Sequence, residues 1–169
     1  PTQKTVAELR GIGIQPDIIL CRTSRPLNEE LRAKISLFCN IEPEAVFEAK
    51  DVASVYEVPL EFHRQKLDDW VVRRLGLKAG RPDMSQWSRF VNRIYHPTSE
   101  VEIAIAGKYV GLHDAYKSIV EAFIHAGSVY RTKVKLRWVD SEEVEHSGAA
   151  KQLKGCSGVL VPGGFGDRG

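Results

Sequence analysis

Short apolar runs alternate with segments of helical periodicity along this chain, and this alternation limits the possible folds more than any other feature. In the second half, strands are predicted at residues 101–106, 134–139 and 159–161, with a helix at 115–126 after the first of them. The order is βαβ followed by another αβ unit, which is typical of a doubly wound parallel sheet. Ligands bind such sheets at the carboxyl ends of the strands.

The first half predicts a second α/β arrangement. An apolar run at residues 18–21 predicts a strand that is buried on both faces, and another short strand is expected at 46–49. Asn28 is the predicted N-cap of the helix between these strands. A longer amphipathic helix is predicted at residues 60–75, because apolar residues recur there every four positions with Arg and Lys opposite.

A break in periodicity separates the two halves. Residues 76–82 contain two glycines and a proline, which makes a regular element there improbable, and the spacing of Trp87, Val91 and Ile94 then predicts a bridging helix. The predicted organisation is a first domain, a linker with a bridging helix, and a second domain, at residues 1–75, 76–99 and 100–169. Because the chain starts without Met and stops just after a glycine-rich segment, we expect it to be a piece of a longer protein.

The composition excludes several classes of protein. Apolar residues make up 43% and charged residues 27% of the chain, which is typical of a globular protein rather than a disordered one. The 24 basic and 22 acidic residues are interspersed, so no basic footprint for nucleic acid or for an anionic membrane is expected. No apolar run approaches the roughly 20 residues that span a bilayer. We therefore expect a cytoplasmic protein, with its three unpaired cysteines reduced.

A glycine-rich segment follows the last predicted strand. Residues 161–166 read Val-Pro-Gly-Gly-Phe-Gly, and glycines at a strand end let backbone amides approach a ligand closely. Amides at Gly163 and Gly164 could form an oxyanion hole for acyl transfer from an amide. The alternative is an ordinary tight turn.

Other candidate binding residues also follow strands or begin helices. Lys34 lies on the helix after Asn28 and could contact a phosphate, although a solvated surface lysine is the simpler alternative. Lys50 and Asp51 follow a predicted strand where nucleotides often bind, but Asp51 could equally be a helix N-cap.

A second possible ligand site is the crossover after the strand at 101–106. Residues 107–109 and 114–117 bring two lysines and two tyrosines to the start of a helix, whose free N–H groups suit an anion. Asp114 could instead cap that helix. The histidines have no metal-ligand spacing, so no metal site is expected in this chain.

Taken together, these segments resemble the CTP synthase family in order and spacing, over essentially the whole chain. The matching motifs are Pro-Thr-Gln at 1–3, Gly-Ile-Gln-Pro-Asp at 13–17, Arg-Ala-Lys-Ile at 32–35, Lys-Asp-Val at 50–52, Gly-Lys-Tyr at 107–109, Asp-Ala-Tyr-Lys-Ser at 114–118 and Pro-Gly-Gly-Phe-Gly at 162–166. The resemblance implies the end of a Rossmann-like amidoligase domain, followed by the start of a flavodoxin-like class I glutamine amidotransferase domain.

The resemblance also implies an activity. In that family ATP phosphorylates oxygen 4 of UTP, and ammonia that a cysteine thioester mechanism releases from glutamine then forms CTP. Mg²⁺ is the metal, GTP is an allosteric activator, and the protein is a homotetramer. The partners so implied are UTP, CTP, ATP, glutamine and GTP.

Site residues are carried over by position. The resemblance assigns UTP or CTP binding to Thr2, Gln3 and Lys34. It assigns ATP binding to Lys50, Asp51 and Val52. It places the catalytic oxyanion loop at Gly163 and Gly164, with Gly164 against glutamine. It links Lys108, Tyr109 and Lys117 to the GTP response.

Several parts of the family pattern are expected outside this chain. The phosphate-binding loop and the acidic magnesium ligands would precede Pro1, and the nucleophilic cysteine with its His-Glu partners would follow Gly169. Cys156 precedes the last strand and is not expected to be that nucleophile. The isolated segment should therefore be inactive. The alternatives are another class I glutamine amidotransferase and a flavodoxin-like nucleotide-binding module without catalytic activity.

Overall fold

A computed structural model describes residues 2–108 and 110–163 of the chain. The chain folds into two compact units, one up to Trp87 and the other from Ser88 onward. Both units combine helices with parallel strands, which confirms the predicted α/β class. No helix within the described ranges has the length and apolarity needed to cross a bilayer.

Among the described residues, the first unit holds two strands and five helices, the last of which continues past Trp87. Their bounds are α1 Thr2–Gly11, β1 Ile19–Thr23, α2 Glu29–Cys39, β2 Val46–Lys50, α3 Val58–Arg64, α4 Leu67–Arg74 and α5 Ser85–Tyr95. Single 3-10 turns at Pro43–Ala45 and Val55–Glu57 flank β2.

Strands β1 and β2 pair in parallel, from Ile19 opposite Val46 to Thr23 opposite Lys50. The helix between them begins where the sequence predicts, because the Asn28 side chain accepts a hydrogen bond from the Leu31 N–H at 2.8 Å. The core of this unit is formed by buried Ala45, Phe47 and Trp70, with Ile18, Ile41 and Leu67 packed against them.

Burial of β1 on both faces is a wrong prediction. Its residues alternate between half-buried and exposed positions, and Leu20 is 49% exposed. A parallel strand is buried on both faces only where other elements cover both, and within the described residues the face of β1 that carries Leu20 is left partly uncovered.

The single helix predicted at residues 60–75 is also wrong, because α3 ends at Arg64 and α4 begins at Leu67. Lys66 between them adopts a left-handed backbone with φ of 61°. The side chain of Gln65 binds the backbone of β2, which turns the chain at this point.

The second unit continues from α5 with a three-stranded sheet. Its elements are β3 Ser99–Gly107, a 3-10 turn His113–Tyr116, α6 Lys117–Tyr130, β4 Thr132–Asp140, α7 Ser141–Ser147, α8 Ala149–Gln152 and β5 Gly158–Leu160. The strand order is β4-β3-β5 and both pairings are parallel, as the βαβ pattern predicts. Ala104 and Ile105 on the central strand are fully buried.

Helix α6 packs so closely on the start of β4 that one position excludes any side chain. A Cβ atom on Gly127 would lie 2.5 Å from the backbone oxygen of Thr132. The chain then reverses at Arg131, which has a left-handed φ of 52° and caps α6. Gly127 therefore determines how near α6 can approach the sheet.

Candidate functional site

In the first unit, the predicted ATP-binding residues lie together at the carboxyl end of β2. Lys50 is the last residue of the strand, and Asp51 and half-buried Val52 follow it. Asp51 pairs with Arg22 of β1, with Nε and Oδ1 3.3 Å apart, and both side chains are exposed. It does not cap the next turn, because Ser54 provides that cap. The structure thus places 50–52 at the strand end that favours ligands, and their ATP role stays a prediction.

A buried carboxylate lies behind this strand end. Glu48 is only 8% exposed, and its oxygens contact the Lys50 ammonium at 3.2 Å and the Arg32 guanidinium at 3.5 Å. The N–H of Leu27 donates to the same carboxylate at 2.9 Å. Sequence reasoning missed this group. The signal available was a charged residue inside an otherwise apolar strand, because a buried charge needs partners.

Lys34 lies on α2 but points away from this cluster. Arg32 on the same helix donates to the Val46 carbonyl of β2. Lys34 lies two residues later, so its side chain leaves the helix about 200° around the axis from that of Arg32. Lys34 is accordingly exposed, and it has no ion pair within the described ranges. The structure therefore does not bring Lys34 and Lys50 together within this unit.

Thr2 and Gln3 begin helix α1. The last turn of that helix is tied to α2, because Arg10 donates to the Cys39 carbonyl. Thr2 lies eight residues earlier, about 12 Å along the helix axis. Thr2 is half-buried and Gln3 is exposed, and their UTP or CTP role stays a prediction.

A cavity of about 630 Å³ opens on the outer side of β2. Its lining residues are Arg32, Pro43, Glu44, Phe47, Gln65, Lys66, Asp69, Trp70 and Arg73. Cations and carboxylates both contribute, so the cavity has no single strong charge. Lys34 and Lys50 are not among the lining residues.

In the second unit, three strand ends define the other candidate site. Gly107 ends β3 opposite Asp140 of β4, and Ile105 pairs with Leu160 of β5. The segment leading to Gly163 therefore leaves the sheet beside the end of β3. This places Gly163 at the carboxyl edge of the sheet, where the sequence predicts the oxyanion loop.

The backbone at Gly163 is open. Gly163 is exposed, and a Cβ atom built on it would meet no atom within 4 Å. Gly163 therefore lies on the accessible surface of this strand end. Gly164 and Tyr109 lie outside the described residues, so their predicted roles are not addressed by the structure.

The two lysines predicted for the GTP response lie near the same sheet edge. Lys108 directly follows β3 and is half-buried, and Lys117 is the first residue of α6. Lys117 is exposed and pairs with Glu121 one turn later at 3.0 Å. Asp114 does not cap α6, since Tyr116 occupies the N-cap position. The GTP role of both lysines stays a prediction.

The end of β3 is held by an aromatic contact. A Cβ atom on Gly107 would lie 2.5 Å from the hydroxyl of Tyr116, which is buried. The Tyr116 ring packs against Trp138 with ring centroids 5.7 Å apart. The absence of a side chain at Gly107 thus lets the turn before α6 close onto the sheet.

Two of the cysteines are poor nucleophiles in this fold. Burial raises the pKa of Cys21 above its ordinary value of 9.0, and the neighbouring Cys39 raises it further. Burial likewise raises the pKa of Cys39, against a lowering effect of Arg10. Both thiols are therefore protonated near neutral pH, and neither has the depressed pKa of a catalytic cysteine.

A histidine and a carboxylate form a separate pair at the α3–α4 corner. His63 Nδ1 lies 2.7 Å from Asp68 Oδ2. Burial opposes ionisation of Asp68, but hydrogen bonds from His63 and from the Asp69 backbone outweigh it and lower the pKa of Asp68 below 3.8. Across the described residues, no group of three or more His, Cys, Asp or Glu side chains is arranged to hold a metal ion.

Comparison with known proteins identifies the family. The family model of the CTP synthase N-terminus matches residues 1–77, and that of glutamine amidotransferase class-I matches residues 111–169. The chain is 55% identical to the CTP synthases of Caldanaerobacter subterraneus subsp. tengcongensis and Desulfitobacterium hafniense, in each case over 100% of its own length and 32% of the relative. The CTP synthase of Rhodospirillum centenum is 51% identical over 100% of the chain and 31% of the relative.

The chain belongs to the CTP synthase family. It spans about a third of the length of these curated relatives. A glutamine amidotransferase of another kind is not favoured, because the CTP synthase match covers residues 1–77 as well. The predicted domain boundaries at residues 75 and 99 stay a prediction. Along the chain, the division between the two compact units falls within α5, between Trp87 and Ser88.

Proposed function

We propose that this chain contributes parts of two active sites to a glutamine-dependent CTP synthase. The observation that supports this function best is the order of two family matches along one chain that is 55% identical to CTP synthases throughout. In this reaction, phosphoryl transfer from ATP activates oxygen 4 of UTP, and ammonia from glutamine then replaces the phosphorylated oxygen. The products are CTP, ADP, phosphate and glutamate.

In the glutaminase half-reaction, the chain supplies backbone donors. Negative charge develops on the glutamine carbonyl oxygen as the thioester forms, and fixed N–H groups stabilise that charge without reorganising. Gly163 is exposed at the carboxyl edge of the sheet, which suits this role. We assign the neighbouring donor and the glutamine contact to Gly164.

In the amidation half-reaction, the chain supplies cationic and backbone groups. Lys50, Asp51 and Val52 follow a strand end where a nucleotide base and phosphates can be contacted. Lys34 provides an exposed ammonium for the phosphates of UTP, or of CTP when CTP inhibits. Thr2 and Gln3 complete the pyrimidine nucleotide contacts.

The remaining ligands and the assembly belong to the same proposal. Magnesium, when bound, neutralises phosphate charge, but the described residues offer no ligand cluster for it, so we assign it no residue of this chain. GTP acts as an allosteric activator through Lys108, Tyr109 and Lys117. The enzyme works in the cytoplasm as a homotetramer in which neighbouring subunits complete the nucleotide site.

Two variants of Gly163 test the glutaminase role. Gly163→Pro removes the N–H donor, whereas Gly163→Ala retains it and meets no steric obstacle. In the complete protein, we expect Gly163→Pro to lower glutamine-dependent CTP formation by roughly 10²-fold or more while ammonia-dependent formation is retained. Equal losses in the two variants, or loss of the ammonia-dependent reaction, would contradict the assignment.

A lysine variant tests the amidation role. We expect Lys34→Ala to raise the KM for UTP by about tenfold, because a charged phosphate contact is lost, and to leave glutamine hydrolysis unchanged. Lys78→Ala, which changes another exposed lysine of the first unit, is the matched control. An unchanged KM for UTP in Lys34→Ala would exclude this contact.

A further inference from the structure

The carboxylate of Glu48 is bound from three directions. One oxygen accepts the Leu27 N–H at 2.9 Å and faces Arg32 at 3.5 Å, and the other lies 3.2 Å from the Lys50 ammonium. Its side chain is 11% exposed, so these contacts are partly shielded from water. Charge-assisted contacts of this kind are stronger than those of exposed pairs.

The backbone of Glu48 is held as firmly as its side chain. Gln65 accepts from the Glu48 N–H and donates to the Glu48 carbonyl, both at 2.8 Å. On the other side Glu48 pairs with Cys21 of β1. The backbone position that carries the carboxylate is therefore fixed from both sides.

The groups that Glu48 connects are those assigned to nucleotides. Lys50 lies two residues further along the strand, on the same face, and its side chain is 43% exposed. Its ammonium can thus be held by Glu48 and still reach a ligand. Leu27 directly precedes Asn28, the N-cap of α2, so the same carboxylate also contacts the segment that leads into the helix carrying Lys34.

We infer that Glu48 is a positioning residue that holds the Lys50 ammonium ready for ATP and ties it to the start of α2. The inference rests on the proposed ATP role of Lys50. Glu48 itself faces Arg32, Lys50 and a backbone amide of the chain. Its effect on nucleotide binding passes through Lys50.

The test is a double-mutant cycle on ATP affinity in the complete protein. Glu48→Gln keeps the side-chain shape and an acceptor for the Leu27 N–H, but it removes the charge that holds Lys50. We expect it to weaken ATP binding by about tenfold in equilibrium titration, with little change in Tm. In a Lys50→Met background it should have no further effect. Glu44→Gln, an exposed carboxylate of the same unit, is the control.

A second measurement needs neither ATP nor turnover. An amine-reactive reagent, mapped by peptide mass spectrometry, should modify Lys50 several-fold faster in Glu48→Gln than in the unaltered protein, because the Lys50 nitrogen is no longer held against the Glu48 carboxylate and is freer to meet the reagent. Lys34 serves as the internal reference, because it is exposed and its rate should not change.

The outcomes are distinguishable. Equal tenfold losses in the presence and absence of Lys50, or an unchanged rate of Lys50 modification, would show that Glu48 is merely structural and overturn the inference. If the unaltered protein binds ATP but makes no CTP, the proposed function fails and the cycle still decides the role of Glu48. If the unaltered protein does not bind ATP at all, the inference fails with it.

Discussion

The two sheets of this chain are stabilised in different ways. In the two-stranded sheet, polar side chains bind the backbone directly, as Gln65 and Arg32 do along β2. In the three-stranded sheet, the central strand is covered on both faces, so that Ala104 and Ile105 have no exposed surface. Burial contributes to both sheets, because Val46 of β2 is fully buried as well, and the smaller sheet adds directional side-chain contacts along the edge of β2.

This difference bears on how each candidate site is positioned. Lys50 is oriented by an ion pair with Glu48, which a single substitution can remove. Gly163 is oriented by the end of a strand that pairs with β3, and the turn before α6 closes against Gly107. Polar substitutions should therefore disturb the first site most, and steric substitutions the second.

The largest expected effect concerns the core of the second unit. Ile105→Ala removes a fully buried side chain and should lower the free energy of unfolding by about 3–4 kcal/mol. Leu20→Ala in β1, where the residue is 49% exposed, should cost about 1 kcal/mol. Urea unfolding followed by circular dichroism measures both. Similar costs at the two positions would show that the Ile105 side chain is not more buried than that of Leu20.

A steric substitution sharpens the same contrast. Gly127→Ala brings a Cβ atom 2.5 Å from a backbone oxygen of β4 and should lower the free energy of unfolding by about 2 kcal/mol. Gly111→Ala in the same unit meets no atom within 4 Å and should change stability by less than about 0.5 kcal/mol. If both variants unfold at the same urea concentration, α6 is not packed as closely as described.

Backbone strain occurs in both units and provides a smaller effect. Lys66 and Arg131 have left-handed backbones at φ of 61° and 52°, a conformation that glycine adopts without penalty. Lys66→Gly and Arg131→Gly should each raise the free energy of unfolding by about 0.5–1 kcal/mol. Lys66→Ala, which keeps a Cβ atom, is the control and should not be stabilising. A destabilised Lys66→Gly variant would show that losing the Lys66 side chain costs more stability than relieving its left-handed backbone restores.

The smallest expected effect depends on pH. The pKa of Asp68 is lowered in the folded state, so its contribution to stability is present above about pH 4 and is lost as the pH falls through the lowered pKa. His63→Ala should therefore cost about 0.5 kcal/mol near neutral pH, since both side chains are partly exposed, and the cost should shrink towards about pH 2.

The control for this pH effect is His146→Ala on α7, an exposed histidine without a carboxylate partner in the described structure. The loss of stability in His146→Ala should stay the same over the pH range in which a carboxylic acid titrates. A cost of His63→Ala that stays constant from neutral pH to strongly acidic pH would contradict the role of Asp68.

Local features of the fold were predictable from the sequence. The cap at Asn28 uses an N–H three residues away, and the parallel strands of the second unit follow from βαβ order. The break between α3 and α4 was not predictable from periodicity. It depends on Gln65 binding the backbone of Glu48, 17 residues earlier, and a hydrogen bond of that kind leaves no periodic signal.

The candidate sites divide in the same way. Strand ends and glycines placed Lys50 and Gly163 at carboxyl edges of sheets, where the structure has them. The orientation of Lys34 away from Lys50 depends on which face of α2 Arg32 turns towards β2. Tertiary contacts determine which face of α2 packs towards β2, and the spacing of residues in the sequence alone does not predict it.

The polar contacts along the outer side of β2 have a consequence for solubility. A bare strand edge is a template on which other molecules can add strands and aggregate. On β2 the Val46 carbonyl already accepts a hydrogen bond from Arg32, and the backbone N–H and carbonyl of Glu48 are both bound by the Gln65 side chain. Two side chains thus act as a cover for this edge, so newly made or concentrated copies of the protein gain little by joining strand to strand there.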